Sequence, residues 1–295
     1  MSQGIVYYAV GEVYVDQMKT AARQAKNVMP DTPITVFTDA SVDEDFIDDV
    51  RRIETPEHPL LDYIHRLQES PYERTLFLDT DTYLVDDVSH LFDLLDRFDL
   101  AVAPTETRLR ADDKYSEDVR EDVPLCFPEF NTGVILYKTE AVEELFDDWY
   151  RRYETYLENY DGRSVKHDQP MFSEALYHSD TRYATLTEEY NCTYPNLGYV
   201  QGKVRILHGQ APGQGEEVPP EEMPPVINKD IEKRIYAGKG FRRVMAYPSP
   251  LSKWKYPGPS RWRYRLRRAK RNVGDEGLVQ TVKKVLNRSK RLLTV

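Results

Sequence analysis

Residues 74–83 read Arg-Thr-Leu-Phe-Leu-Asp-Thr-Asp-Thr-Tyr, an apolar run that stops at two aspartates one residue apart. Few local patterns constrain a fold as tightly. The run predicts a buried strand, and residues i and i+2 of an extended chain share a face. Asp79 and Asp81 would then leave the strand on the same side. Two hard carboxylate oxygens so placed suit Mg²⁺ or Mn²⁺, ions that keep open positions for phosphate oxygens. The plainer alternative is a solvated loop with a turn-capping aspartate. The flanks predict a turn over 70–74, feeding the strand, and a helix over 85–95 following it.

Strand and helix signals alternate along the chain, as an α/β domain requires. Strands are predicted at 4–10, 33–38, 74–78, 100–103, 132–137 and 204–208. Helices are predicted at 15–27, where Met18, Ala21, Ala22 and Ala25 share a face, at 60–68, and at 139–157. Residues 108–123 are acidic and lack apolar periodicity, which predicts a long loop. No internal repeat is present.

The 295 residues suffice for one large core, or a core with an appendage. The only cysteines are Cys126 and Cys192, too few for a disulfide framework or a thiolate metal site. The N-terminus has neither a basic segment nor a long apolar one, so a cytoplasmic location is expected. The net charge of −10 hides a division. From Phe241 onward lie 16 of the 40 Lys and Arg but only 2 of the 50 Asp and Glu, so the body carries about −24 and the tail about +14. An acidic body is a poor general surface for nucleic acid.

The Asp79-Thr80-Asp81 segment and its flanks resemble the DxD glycosyltransferases of the GT-A fold. The resemblance is closest to the retaining galactosyl- and glucosyltransferases and to glycogenin, and it extends over about residues 4–210. It implies a Rossmann-like mixed sheet flanked by helices, with a catalytic domain over 1–245. It also implies a nucleotide sugar donor, a UDP-sugar above all, and a glycan, lipid-linked or protein acceptor. The metal would be Mn²⁺ or Mg²⁺, held by Asp79 and Asp81 with His208 as third ligand.

Donor-binding positions follow from the same resemblance. Ala9, Gly11, Tyr14 and Asp39 lie at or after the ends of the first two predicted strands, where the family holds base and ribose. Tyr14 would meet the base, and Asp39 a polar group of base or ribose. A loop tyrosine and a helix-capping aspartate are the alternatives. Thr80 lies between the two metal ligands. Arg66 would lie near the diphosphate, or else be a solvated helix arginine.

Phe130-Asn131-Thr132-Gly133 resembles the family's Phe-Asn-x-Gly, in which the asparagine bonds the donor sugar and Gly133 allows close approach. Asp168-Gln169 resembles the pair near the reacting carbon, though Asp168 before Pro170 also reads as an N-cap. His208-Gly209-Gln210-Ala211 lacks the downstream Gly-x-x-Lys-Pro-Trp of the bacterial galactosyltransferases.

Two readings from other classes compete with glycosyl transfer. A haloacid-dehalogenase-like phosphatase also sets two aspartates after a strand, the first as nucleophile. Its fifth motif residue is normally Thr or Val, whereas Tyr83 stands here. A non-catalytic sugar- or lipid-binding module of the same fold is the other.

Residues 246–295 form a separate tail. Trp254, Tyr256, Trp262 and Tyr264 alternate with Lys253, Lys255, Arg261, Arg263 and Arg265, and residues 278–293 have helical apolar spacing. Aromatic and basic residues so interleaved suit a peripheral anchor on an anionic membrane. A solvated extension and, less well, a nucleic-acid-binding tail are the alternatives.

Overall fold

The computed structural model describes residues 2–54, 56, 59–105, 123, 124, 126–158, 168–193 and 204–209. The chain divides into two units, Met1–Phe241 and Arg242–Val295. The second unit, and with it the basic aromatic tail, lies outside the described residues, as does nearly all of the loop expected at 108–123.

Seven strands form the main sheet: β1 (Gln3–Ala9), β2 (Ile34–Thr38), β3 (Asp49–Arg52), β4 (Arg74–Leu78), β6 (Leu100–Pro104), β7 (Phe130–Lys138) and β8 (Tyr183–Thr185). Their order is β3-β2-β1-β4-β7-β6-β8. The pairs β1–β2, β2–β3, β1–β4 and β6–β8 are parallel, while β7 runs antiparallel to both neighbours. A smaller sheet pairs β5 (Thr82–Leu84), β10 (Ile206–His208) and β9 (Cys192–Thr193), with β10 in the middle. This is the GT-A architecture.

The period of two along each central strand builds two cores, one on each face. Ile5, Tyr7 and Ala9 of β1 and Leu76 and Leu78 of β4 face Met18, Ala21, Ala22 and Ala25 of α1 (Glu12–Val28). Val6 and Phe77 point to the other face, with Tyr63 and Ile64 of α2 (Pro59–Gln68), Trp149 and Tyr153 of α3 (Glu143–Glu158) and Phe172 of α4 (Gln169–His178). Tyr63 stacks on Phe77 at 5.6 Å and meets Trp149 edge-on at 5.5 Å.

Several elements differ from expectation. Instead of a helix over 85–95, β5 is followed by a 3-10 helix, Ser89–Asp96, that starts only where Asp87 Oδ1 accepts the Ser89 N–H at 2.7 Å. Asp86 is drawn away by an ion pair with Arg205 at 2.8 Å, and Val85 N–H bonds the Arg205 carbonyl, so the chain stays extended there. The helix expected from 139 begins as a 3-10 turn, Thr139–Val142, before α3. β3 went unpredicted because its Asp-Val-Arg-Arg sequence is that of an exposed edge. No described helix is long and apolar enough to cross a membrane.

After β1 the chain moves outward to β2 and β3, then returns to place β4 on the opposite side of β1. Such a reversal opens a crevice beyond the carboxyl ends of the strands. Gly11 and Asp39 leave one side of it and Asp79 the other. Because β7 is antiparallel to β4, with Val134 opposite Leu78, its starting residues Asn131 and Gly133 lie at this same end.

Candidate metal centre and donor cleft

Asp79 and Asp81 are brought together by a turn and not by an extended strand. Thr82 N–H bonds the Asp79 carbonyl at 3.0 Å, and the Thr82 hydroxyl bonds the same oxygen at 2.6 Å. The Asp79 N–H is fixed to the Gly133 carbonyl at 2.8 Å. β10 runs antiparallel to β5, with His208 opposite Thr82, and so carries the imidazole to the turn. His208 Nε2 stands 3.6 Å from Asp79 Oδ2 and 3.4 Å from Asp81 Oδ1.

One atom from each of Asp79, Asp81 and His208 lies within 4.8 Å of the others, forming a candidate metal site. The surroundings fit a cation there. Gly133 closes the floor: a Cβ on it would lie 2.1 Å from His208 Cε1 and 2.7 Å from Asp79 Oδ2. Two carboxylates with one imidazole suit Mn²⁺ better than Mg²⁺, which favours oxygen alone.

The charges respond to one another. Burial alone would lower the His208 pKa, but the two carboxylates outweigh it and hold it at about 10. Loss of water also raises the Asp79 carboxyl against the pull of His208, whereas at Asp81 the imidazolium outweighs that loss and lowers the pKa. A proton on His208 and a cation would therefore draw on the same two carboxylates.

The sequence model of glycosyl transferase family 8 matches residues 63–211, half of the chain and all three of these side chains. The chain belongs to glycosyl transferase family 8. No curated protein matches it. Family 8 membership makes the chain a glycosyltransferase, and it leaves the phosphatase reading of the aspartate pair without support.

The other positions in this family 8 chain fall into four groups. On the β1 side, Asp39 Oδ1 accepts the Gly11 N–H at 3.0 Å, so both sit at one edge of the crevice. Gly11 has φ 92, the left-handed region that favours glycine, and opens α1. Tyr14 is 56% exposed in the first turn of α1. Ala9 is different: its side chain is fully buried in the α1-side core, so only its backbone can meet a ligand. Thr80 donates its hydroxyl to Gln17 Oε1 of α1 at 3.2 Å, tying the Asp79–Thr82 turn to that helix.

Arg66 lies on α2, where it pairs with Glu69 at 2.6 Å. Its charge is felt at Tyr8, as are those of Asp62 and Asp39; burial, the carboxylates assisting, keeps the Tyr8 hydroxyl protonated. Arg66 Nε and Tyr8 Oη are both buried and have no hydrogen-bond partner among the described residues. Nothing in the sequence marked Tyr8, because it occupies an ordinary strand position.

Asp168 and Gln169 lie at the start of α4. Asp168 precedes the helix, yet its side chain makes no capping bond. Its Oδ2 instead accepts the Tyr63 hydroxyl at 2.5 Å, and the Trp149 indole N–H holds its carbonyl at 3.2 Å. The capping interpretation therefore fails, because a buried phenol competes for the carboxylate. Burial above all raises the Asp79 carboxyl, and the charge of Asp168 adds to that rise. Gln169 Oε1 is buried without a partner among the described residues. Tyr63 was read only as an apolar helix position, and its hydroxyl gave no separate signal.

Asn131 Oδ1 accepts from the Gly133 N–H at 3.0 Å and from Asn191 Nδ2 at 2.8 Å. Asn191, which sequence reasoning passed over in an unremarkable Tyr-Asn-Cys stretch, also bonds His208 Nδ1 at 2.8 Å.

Proposed function

We propose that this glycosyltransferase moves a sugar from a nucleoside diphosphate sugar, with uridine as the favoured base, to a glycan, lipid-linked or protein acceptor. The observation that carries this reading is the convergence of Asp79, Asp81 and His208 at the crevice of a family 8 chain. Bound there, Mn²⁺ or Mg²⁺ would neutralise charge on the diphosphate as it leaves. The chain's own side chains do the rest. Tyr14 and Asp39 flank the end of the crevice suited to base and ribose. Arg66 exchanges Glu69 for a pair of diphosphate oxygens, which its guanidinium fits equally well. The Nδ2 of Asn131 donates to a sugar hydroxyl, and Gln169 Oε1 accepts from one or faces the reacting carbon.

Retention of configuration is the favoured outcome. An inverting reaction needs a carboxylate free to take the acceptor proton. Asp168 is 6% exposed and already holds the Tyr63 hydrogen, which suits it better to stabilising positive charge on the sugar than to removing a proton. The leaving phosphate then accepts the acceptor proton.

The tail extends the proposal to location. Its basic and aromatic residues would hold the enzyme to the cytoplasmic face of an anionic membrane, near lipid-linked acceptors.

A thermal-shift screen of nucleoside diphosphates, with and without Mn²⁺, tests the central reading. A ligand stabilises according to its concentration relative to Kd. A uridine diphosphate shift that depends on Mn²⁺ is expected. Binding without metal dependence, together with no turnover of any sugar nucleotide, would instead favour a non-catalytic module.

A further inference from the structure

The hydrogen bonds behind His208 have a direction that a backbone group sets. The Gly133 N–H can only donate, and it points at Asn131 Oδ1 from 3.0 Å. That makes the oxygen, not the nitrogen, of the Asn131 amide the atom on this side. The group facing it at 2.8 Å must then be a donor, the Nδ2 of Asn191. The remaining atom of the Asn191 amide is its oxygen, and it lies 2.8 Å from His208 Nδ1. An amide oxygen only accepts, so Nδ1 carries a hydrogen. A neutral imidazole with its hydrogen on Nδ1 has its lone pair on Nε2, the nitrogen that faces Asp79 and Asp81.

Each member of this relay is well fixed. Asn191 is 5% exposed and His208 8%. The Arg205 N–H bonds the Glu189 carbonyl at 2.7 Å, and the parallel pairing of β9 with β10 sets Cys192 opposite Leu207. Asn191 is thereby anchored to the strand that carries His208. The relay begins in the β7 segment that floors the metal site and ends on the imidazole above it.

We propose that Asn191 and Asn131 are positioning residues that hold the ring and tautomer of His208, so that Nε2 is presented to a divalent cation. Neither residue needs to touch the ion. Partners of this kind behind a metal-binding imidazole change metal affinity by about 10–100-fold when removed. Asn131 accordingly has two tasks, its oxygen orienting Asn191 while its nitrogen remains available to the donor sugar. The inference rests on the metal-dependent reading given above.

The test uses the full chain and Mn²⁺ alone, with binding followed by loss of the free-ion electron paramagnetic resonance signal. Asn191→Ala should weaken Mn²⁺ binding about 10–100-fold. In a His208→Ala background the same change should cost no further affinity, because its effect passes through the ring. The nitrogen hyperfine coupling of bound Mn²⁺, present in the wild type, should fade in Asn191→Ala at saturating ion. Unchanged affinity, or an equal loss in the His208→Ala background, would overturn the proposal. If Asn191→Ala does not fold, Asn131→Ala goes through the same cycle and should weaken binding at least about threefold, only while His208 is present. If His208→Ala binds Mn²⁺ as the wild type does, the metal reading itself falls, and this inference with it.

Discussion

Gly133 and His208 lie so close that a Cβ on the glycine would stand 2.1 Å from His208 Cε1. The backbone of β7 is therefore the wall against which the imidazole rests. Gly133→Ala should displace the ring, since the neighbouring atoms belong to a side chain fixed by Asn191 and cannot easily retreat. We expect about 1–3 kcal/mol of lost stability and at least a tenfold loss of Mn²⁺ affinity. Calorimetric titration with Mn²⁺ checks this. Wild-type affinity in Gly133→Ala would show that the ring has room to move.

Asp79→Asn and Asp81→Asn should each abolish transfer while the fold survives. Both side chains leave a turn that is held by backbone bonds and the Thr82 hydroxyl, not by the carboxylates. Loss of charge neutralisation at the leaving group costs several kcal/mol, so turnover should fall by about 10²-fold or more. Turnover of both variants at the wild-type rate, under limiting metal, would refute the assignment.

Proton and cation should compete at His208. Its metal-free pKa stands at about 10, against an ordinary value of 6.5. Cation binding then releases a proton across the neutral range, and Mn²⁺ affinity rises with pH toward about 10. Metal-free stability runs the other way. A raised histidine pKa stabilises fully below 6.5 and loses that contribution as pH rises through about 10. In chelator, the difference in Tm between wild type and His208→Gln should shrink from pH 6.5 to pH 10 and beyond. A difference independent of pH would contradict the electrostatic account.

Tyr63→Phe removes a hydroxyl that donates to Asp168 Oδ2. The ring itself stays packed against Phe77 and Trp149. Loss of a hydrogen bond to a charged acceptor costs about 1–3 kcal/mol. With the Asp168 carboxylate less firmly positioned, turnover should drop about tenfold or more while nucleoside diphosphate affinity is unchanged. Parallel measurement of kcat and of diphosphate Kd separates the two. Lost affinity with unchanged kcat would move Asp168 from the reacting centre to the nucleotide.

Truncation after residue 247 should leave hydrolysis of the sugar nucleotide largely intact and reduce binding to anionic vesicles. The removed segment carries most of the tail's excess of about +14. Each basic residue near an anionic surface contributes about 1 kcal/mol, and salt screens the attraction. Vesicle sedimentation across a salt series is the check. Indifference of the full chain to anionic vesicles at low salt would rule out the anchor.

Much of the architecture was legible because it rests on local periodicity. Alternation along 4–10 and 74–78, and the apolar face of 15–27, report burial directly, since each element must match its own repeat to the core. The exposed edge strand β3 and the 3-10 helix after β5 were not legible. Their conformations depend on pairing with β2 and on the Asp86–Arg205 ion pair, contacts between residues distant in sequence.

The same division runs through the site. The sequence alone determined that two carboxylates lie one residue apart at a strand exit, and that the chain resembles the DxD glycosyltransferases, because such motifs are contiguous. Only the tertiary structure decided that a turn, not a pleat, brings Asp79 and Asp81 together, and that Asp168 is gripped by Tyr63 instead of capping α4. It alone connected Asn131, Asn191 and His208, which come from three separate strands or loops. Hydrogen-bond direction depends on which groups meet in space, and that is settled when β7, β9 and β10 converge on one end of the sheet.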